Sequence, residues 1–384
     1  MAAATGVVVL LATGYSVVRQ LKDDAAYRDG HEAYQRADCV AAIDEFDSVI
    51  NAYRIVTVGD TVERAERERA ECKAFEVAAV WQRAGNKPRA LASYVQFVHG
   101  RPAGPLTDAA RARVTDLLEE PDLAEVATEP SCRVLDLLRK NAMVGPETGP
   151  GIHSACGTAL TEAHDLDQAL DAYAGLFADY PTHRIAAEAE GLIVRDARWC
   201  GHLAMTTIRQ DPVLAARGEL YPTLLANCAT APAVWAEDAE NAAEEFLQKY
   251  PGHPRTGEVT VALARSMTKL ALENGDKVDW QPYPDGSAGP NEAVIFAHNE
   301  GVVPYRIALS GPDGRVVTVD ACATCRPLPR AEGESCGDHA NLKRIVVTPG
   351  EYDVVLAHGV PRYAITRWIL RPGRSYFFCL TPFR

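Results

Sequence analysis

The chain has 384 residues, 47% of them hydrophobic and 24% charged, ordinary globular values that exclude a disordered tail, a collagen or a polytopic membrane protein. Residues 1–22 and 291–384 each carry a net charge of +2, so residues 23–290 hold −17 within an overall −13. An acidic middle without a stripe of Lys and Arg excludes a nucleic-acid partner, since phosphate binding needs clustered cations, and favours a basic protein partner if charge selects one at all.

Met1 to Val18 carries no charged side chain, and Arg19 and Lys22 follow. Eighteen helical residues rise roughly 27 Å, near the thickness of a bilayer's hydrocarbon core. Residues 1–22 are therefore predicted as a membrane anchor or signal segment, with the membrane engaged through 1–18. A cleavable signal peptide fits less well: the basic n-region is missing and Ala12-Thr13-Gly14 is a weak cleavage site. The positive-inside rule, taken literally with Arg19 and Lys22, puts the body in the cytoplasm. The cysteines below predict the opposite, a single-pass protein of the cell membrane with its body extracytoplasmic; a basic segment preceding Met1 would reconcile the two.

Residues 23–276 show apolar residues three and four positions apart, the helical period. Several stretches share a helix, a turn with Asp or Asn, then a helix with a small residue and an aromatic four apart. Gly30, Ala42 and Phe46 flank the turn at Ala37-Asp38. Gly157, Ala169, Tyr173 and Pro181 repeat this around His164-Asp165-Leu166-Asp167, and Ala78, Ala90 and Tyr94 give a looser copy across residues 84–88. Small residues are needed where paired helices cross closely, with the aromatic filling the space beneath. Residues 177–193 and 247–263 also match each other at Tyr180/Tyr250, Pro181/Pro251 and His183/His253. The two histidines are expected to cap backbone carbonyls at equivalent turns. These spacings resemble the tetratricopeptide repeat (TPR) of extracytoplasmic proteins, such as the outer-membrane assembly lipoprotein and cell-division coordinator families. More loosely, the chain resembles membrane-anchored actinobacterial TPR proteins with a small C-terminal β domain. The resemblance implies an α-solenoid over roughly 30–270 and binding of a protein or peptide.

Six cysteines in this region sort into pairs separated by 33, 24 and 28 residues. Disulfides Cys39 to Cys72, Cys132 to Cys156 and Cys200 to Cys228 are predicted, with the second cysteine of each pair opening a helix. Bridged pairs place a domain outside the cytoplasm. His153 and Cys156, one helical turn apart, are a weak candidate for a base and nucleophile. The glycines of residues 145–151 alternate with prolines, which donate no N–H, so this loop is a poor phosphate cradle.

Residues 277–290, rich in Pro and Gly, read as a linker. Residues 291–384 then alternate with period two in about seven runs, at 292–298, 302–309, 315–321, 343–348, 352–358, 363–370 and 375–380. Gly311-Pro312-Asp313-Gly314, Pro349-Gly350 and Pro372-Gly373 supply turn chemistry, and a β-sandwich of immunoglobulin-like size is expected. Its four cysteines allow several readings. Pro327 and Pro329 after Cys325 oppose a thioredoxin-type site. Cys322, Cys325, Cys336 and His339 have zinc-like spacing. Favoured are disulfides Cys325 to Cys336 and Cys322 to Cys379, since Cys379 otherwise lacks a partner.

No metalloprotease, nucleophile-elbow, P-loop or dinucleotide-binding signature occurs. The fold expected is thus mostly α plus β: a membrane-spanning helix, a TPR-like solenoid and a β-sandwich. The function expected is non-catalytic binding of a protein or peptide, or envelope scaffolding, without a cofactor. The alternatives are a carbohydrate-binding or enzymatic β domain using the Cys322 to His339 loop, and a cytosolic zinc-binding adaptor.

Overall fold

The computed structural model describes residues 2–52, 59–101, 103–119, 123–322, 342–358 and 363–380; of 2–17, 202, 203 and 358 it describes the backbone alone. The chain divides into two compact units, residues 1–189 and 190–384. The last helices and the sheets belong to one unit.

The first unit opens with α1 (Ala2–Gln35) and α2 (Cys39–Ile50), followed by α3 (Thr61–Arg83), α4 (Lys87–His99) and α5 (Pro105–Leu118). Three short helices, α6 (Leu123–Val126), α7 (Glu129–Cys132) and α8 (Leu135–Lys140), lead to α9 (Gly149–Glu162) and α10 (Leu166–Asp179). Residue 22 is not an element boundary, because α1 runs unbroken past it and Asp23 is buried with Arg19 at 3.3 Å. Among the described residues no helix is long and apolar enough to cross a membrane. All of the apolar run 1–18 except Val18 lies outside the described side chains.

One turn geometry recurs in three hairpins. The α1/α2, α3/α4 and α9/α10 turns each place a residue at positive φ (Ala37 at 58°, Gly85 at 74°, His164 at 63°). Asp38, Asn86 or Asp165 then caps the second helix, its side-chain oxygen accepting from the amide of Ala41, Arg89 or Gln168. The amide of each cap residue donates 2.9 Å to a carbonyl five residues back, at Ala33, Trp81 or Leu160. The helix-end carbonyls and the first amides of the next helix are thus satisfied locally.

Where the paired helices cross, side chains are minimal. A Cβ on Gly30 would sit 2.8 Å from the Phe46 ring, and one on Gly157 2.5 Å from that of Tyr173. In the third hairpin Ala78, Ala90 and Tyr94 are buried. Helix α1 also meets α3 along a polar seam with helical spacing. Tyr27 donates to Glu68 at 2.8 Å, His31 lies 2.9 Å from the other Glu68 oxygen, and Tyr34 donates to Glu71 at 2.5 Å. Burial, then the bond to Glu68, pushes the Tyr27 hydroxyl up to about 12.

Helix α11 (Arg184–Arg195) carries the chain across residue 189. The second unit continues with a 3-10 turn (Ala197–Cys200), α12 (His202–Gln210), α13 (Pro212–Ala215), α14 (Leu220–Thr230), α15 (Ala236–Lys249) and α16 (Thr256–Asn274). Among the described residues nine strands follow: β1 (Asp276–Lys277), β2 (Tyr283–Ser287), β3 (Ala293–Asn299), β4 (Tyr305–Ser310), β5 (Arg315–Val319), β6 (Leu342–Val347), β7 (Gly350–His358), β8 (Tyr363–Leu370) and β9 (Arg374–Leu380). They form two sheets, in the orders β1-β8-β7-β4-β5 and β2-β9-β3-β6, antiparallel except for the β1/β8 and β3/β9 pairs.

All seven expected strands are present, and their alternate residues, among them Ile295, Ile307, Leu309, Val354, Trp368 and Phe378, fill one core shared by both sheets. Trp368 meets Phe378 edge to face at 4.7 Å. At the β8/β9 turn Gly373 adopts φ 73°, as the Pro-Gly pair requires.

Parts of the stretch 277–290, expected as a linker, pair with strands of both sheets. Lys277 pairs with Ile365 in one sheet, and residues 283–287 pair with β9 in the other. Between them the Trp280 carbonyl accepts from the Trp368 indole at 2.7 Å and from Thr366 at 3.1 Å. Prolines without amides suit an edge strand, which explains why the segment looks unstructured from composition alone.

Candidate binding cleft

In the second unit a cleft of about 580 Å3 opens between the end of α14, the turn after it, the start of α15 and one face of α16. Pro232 stops α14, and Ala231 takes extended angles, φ −72° and ψ 127°, that turn the chain outward. Ala229, Ala231, Ala236, Ala239 and Ala262 leave the space, while Pro232, Val234 and Val261 give it apolar walls. Val261 is fixed from behind by the hairpin between β4 and β5. A Cβ on Gly314 would come within 2.8 Å of Val261, so glycine there permits the contact.

The charged lining comes from α16. Glu258, Arg265 and Lys269 follow at helical spacing, with Ser266 beside them. Arg255 grips both carboxylate oxygens of Glu258, at 2.9 and 3.1 Å, and these hydrogen bonds hold its carboxyl below the usual range. Neither exposed cation, Arg265 or Lys269, has an acidic partner among the described residues. Arg265 and Lys269 thus give this cleft two cations that no described ion pair holds.

Ala236 and Lys269 also line an adjoining cleft of about 480 Å3, with Trp235, Glu237, Asp238, Glu273 and Asn274. Trp235 is 81% exposed. Such exposure of the largest side chain is the composition of an interface rather than of a core.

A buried latch holds α15 to the first sheet. The Glu240 carboxylate accepts from the Tyr363 hydroxyl at 2.7 Å and from Arg306 at 3.4 Å, while Arg306 also pairs with Glu244. Burial of Tyr363, then its bond to Glu240, raises the tyrosine above its ordinary range.

The cysteines take several states. Cys132 is bridged to Cys156 and Cys200 to Cys228, with Cα separations of 5.4 and 5.3 Å. The expected bridge between Cys39 and Cys72 is not formed: both are free and buried. A hydrogen bond with the Cys72 thiol, followed by burial, raises the Cys39 thiol well above its usual value. Cys72, Cys156 and Cys228 do not open helices; they lie within α3, α9 and α14. Cys322 and Cys379 each stand in a disulfide. Cys325, Cys336 and His339 lie outside the described residues, and the pairing of that loop with them. A bridged Cys322 has no thiolate to offer a zinc ion, so the four-donor zinc reading loses a ligand.

Neither histidine pairing suggests catalysis. Cys156 is consumed in its bridge, and His153, buried against Gly175, lies 3.1 Å from the Ala172 carbonyl. His183 and His253 are caps, but of the opposite polarity to the one expected. Each Nδ1 accepts from an amide two residues on, Ile185 or Arg255, at 3.2 Å. Among the described residues no group of three or more His, Cys, Asp or Glu could hold a metal ion.

No protein-family model matches this chain, and no curated protein or solved structure matches it. The cleft residues had little signal in the sequence. Arg265 and Lys269 look like an ordinary solvated helix face until the packing shows them lining a cleft without a described ion pair.

Proposed function

We propose that the chain is a non-catalytic protein- or peptide-binding protein of the cell envelope. In this reading a TPR-like array of helical hairpins and a β-sandwich form the body, anchored in the cell membrane through residues 1–18 and facing outward. The observation that carries the binding role is the α14–α16 cleft, which combines apolar walls, two exposed cations outside any described ion pair and the exposed Trp235. Interfaces draw their strongest contacts from such Trp and Arg side chains around a recess. Neither His nor Cys is among the residues lining it, and its carboxylate is already held by Arg255, which favours holding a ligand over making or breaking a bond.

The recurring hairpin turn and the close crossings at Gly30 and Gly157 support the TPR-like reading. The bridged cysteines support an oxidising compartment. A random-peptide display library panned on the immobilised whole chain tests the binding role: enrichment of a shared pattern over bare matrix is expected, and no enrichment refutes it. Protease added to intact host cells tests the orientation, since an outward-facing body is digested and an inward-facing one is protected.

A further inference from the structure

Resting on that binding role, we infer that the α14–α16 cleft takes an extended acidic peptide segment of the pattern acid-x-acid. Its two carboxylates, on the same side of the extended segment, pair with Arg265 and Lys269 of α16.

Spacing and charge both lead there. Arg265 and Lys269 are four residues apart on one helix face, which sets their Cβ atoms about 6 Å apart. Residues i and i+2 of an extended chain point the same way and are separated by about 6.6 Å, so consecutive same-side carboxylates reach the two cations together. Glu258 does not compete, because Arg255 occupies both of its oxygens. The Ala, Val and Pro walls offer no polar group deep in the recess beyond Ser266 and Thr230, and the Thr230 hydroxyl already donates to the Ala226 carbonyl.

The neighbouring cleft limits the acidic run. Glu237, Asp238 and Glu273 line it beyond Trp235, so a third carboxylate in that direction meets like charge. The preferred ligand has two acids and then a neutral or aromatic residue that can lie on the exposed indole. The overall charge of −13 opposes an acidic ligand at long range. At about 0.15 M salt the Debye length is near 8 Å, so the two cations in contact decide.

The test is fluorescence anisotropy on the whole chain with fluorescein-labelled Gly-Asp-Val-Asp-Val-Ser-Trp and the same peptide with Lys for both Asp. At 0.15 M salt the acidic peptide is expected to bind at least tenfold more tightly, to lose at least tenfold with R265E/K269E, and to lose several-fold with W235A. All three substituted positions are exposed, and unchanged melting temperatures check that the fold is intact. Equal binding of both peptides, tighter binding of the basic one, or indifference to R265E/K269E overturns the inference. Display on the whole chain separates the two levels. Enriched peptides that bind the double variant equally well leave the binding role standing and remove this assignment, whereas no enrichment removes both.

Discussion

Gly157 faces the ring of Tyr173 so closely that a methyl group at its Cβ position would lie 2.5 Å from two ring atoms. Tyr173 is 2% exposed, so the ring has nowhere to withdraw. Gly157→Ala is therefore expected to destabilise the first unit by about 1 to 3 kcal/mol through overpacking, despite the better helix propensity of alanine. Gly30→Ala, at 2.8 Å from Phe46, is expected to act in the same direction. Urea unfolding of each variant measures this; a gain in stability at either position would show that the helices can separate without cost.

The three hairpin turns share a left-handed residue, yet only Gly85 is suited to it. Ala37 at φ 58° and His164 at φ 63° each hold a Cβ against the following carbonyl, a strain of about 1 kcal/mol. Ala37→Gly and His164→Gly are expected to offset that strain by a few tenths to 1 kcal/mol after the added entropy of the unfolded glycine. Thermal melts of the two variants check the direction. Gly85→Ala serves as the reverse case, since its Cβ position meets nothing within 4 Å and only the dihedral is strained.

Thiol mapping separates the cysteine states. Alkylation in denaturant without reduction is expected to label Cys39 and Cys72 and to leave Cys132, Cys156, Cys200, Cys228, Cys322 and Cys379 unlabelled. In the native protein Cys39 and Cys72 should react slowly, being buried thiols in hydrogen-bond contact. The loop closed by Cys132 and Cys156 spans 24 residues, so replacing both by serine is expected to cost about 3 to 4 kcal/mol on the loop-entropy model. Peptide mapping by mass gives the first result and urea unfolding the second.

The strands were legible because period-two alternation records a face: Ile295, Ile307, Val354 and Trp368 each fall on the buried side. The hairpins were legible through Asp38 and Asp165, whose side chains cap a helix that starts at the next residue by accepting from the amide three residues on. The role of residues 277–290 was not, because it rests on backbone carbonyls such as that of Trp280, which composition does not reveal. The cleft was hidden for a related reason. A cation's lack of a partner is a property of the helices packed beside it, and no local pattern at Arg265 or Lys269 records which those are.

Burial lowers the affinity of His153 for a proton, while its position beside the Ala172 carbonyl keeps the Nδ1 hydrogen in place on the neutral ring. The unfolded ring titrates near 6.5 and the folded ring below that, so between the two values the unfolded state binds more protons. The contribution of His153 to stability is therefore full above about pH 6.5 and is lost as pH falls toward the folded value. Melting temperature should decline from pH 7 to pH 5, and His153→Gln should flatten that slope. Glu258 is lowered instead by its bonds from Arg255, and its contribution is lost only at lower pH, through the carboxylate range. A slope from pH 7 to 5 that His153→Gln leaves unchanged would assign it elsewhere.

Glu240 of α15 touches two strands of the first sheet, through Arg306 of β4 and Tyr363 of β8. It is 6% exposed, so its charge is sustained by those two donors rather than by water. Removing it leaves the Tyr363 hydroxyl without its acceptor and Arg306 with Glu244 alone. Glu240→Ala should thus cost about 2 to 3 kcal/mol, the range for hydrogen bonds to a charged group. Tyr363→Phe takes one of the two donors from that carboxylate and should cost about 1.5 to 3 kcal/mol. Because both substitutions act on one carboxylate, the double variant Glu240→Ala/Tyr363→Phe should lose less than the two singles together. Strict additivity in urea unfolding would mean that the tyrosine stabilises the sheet independently of α15. A loss limited to α15, seen as faster amide exchange there with β4 and β8 unchanged, would show that the latch holds the helix onto a sheet already folded.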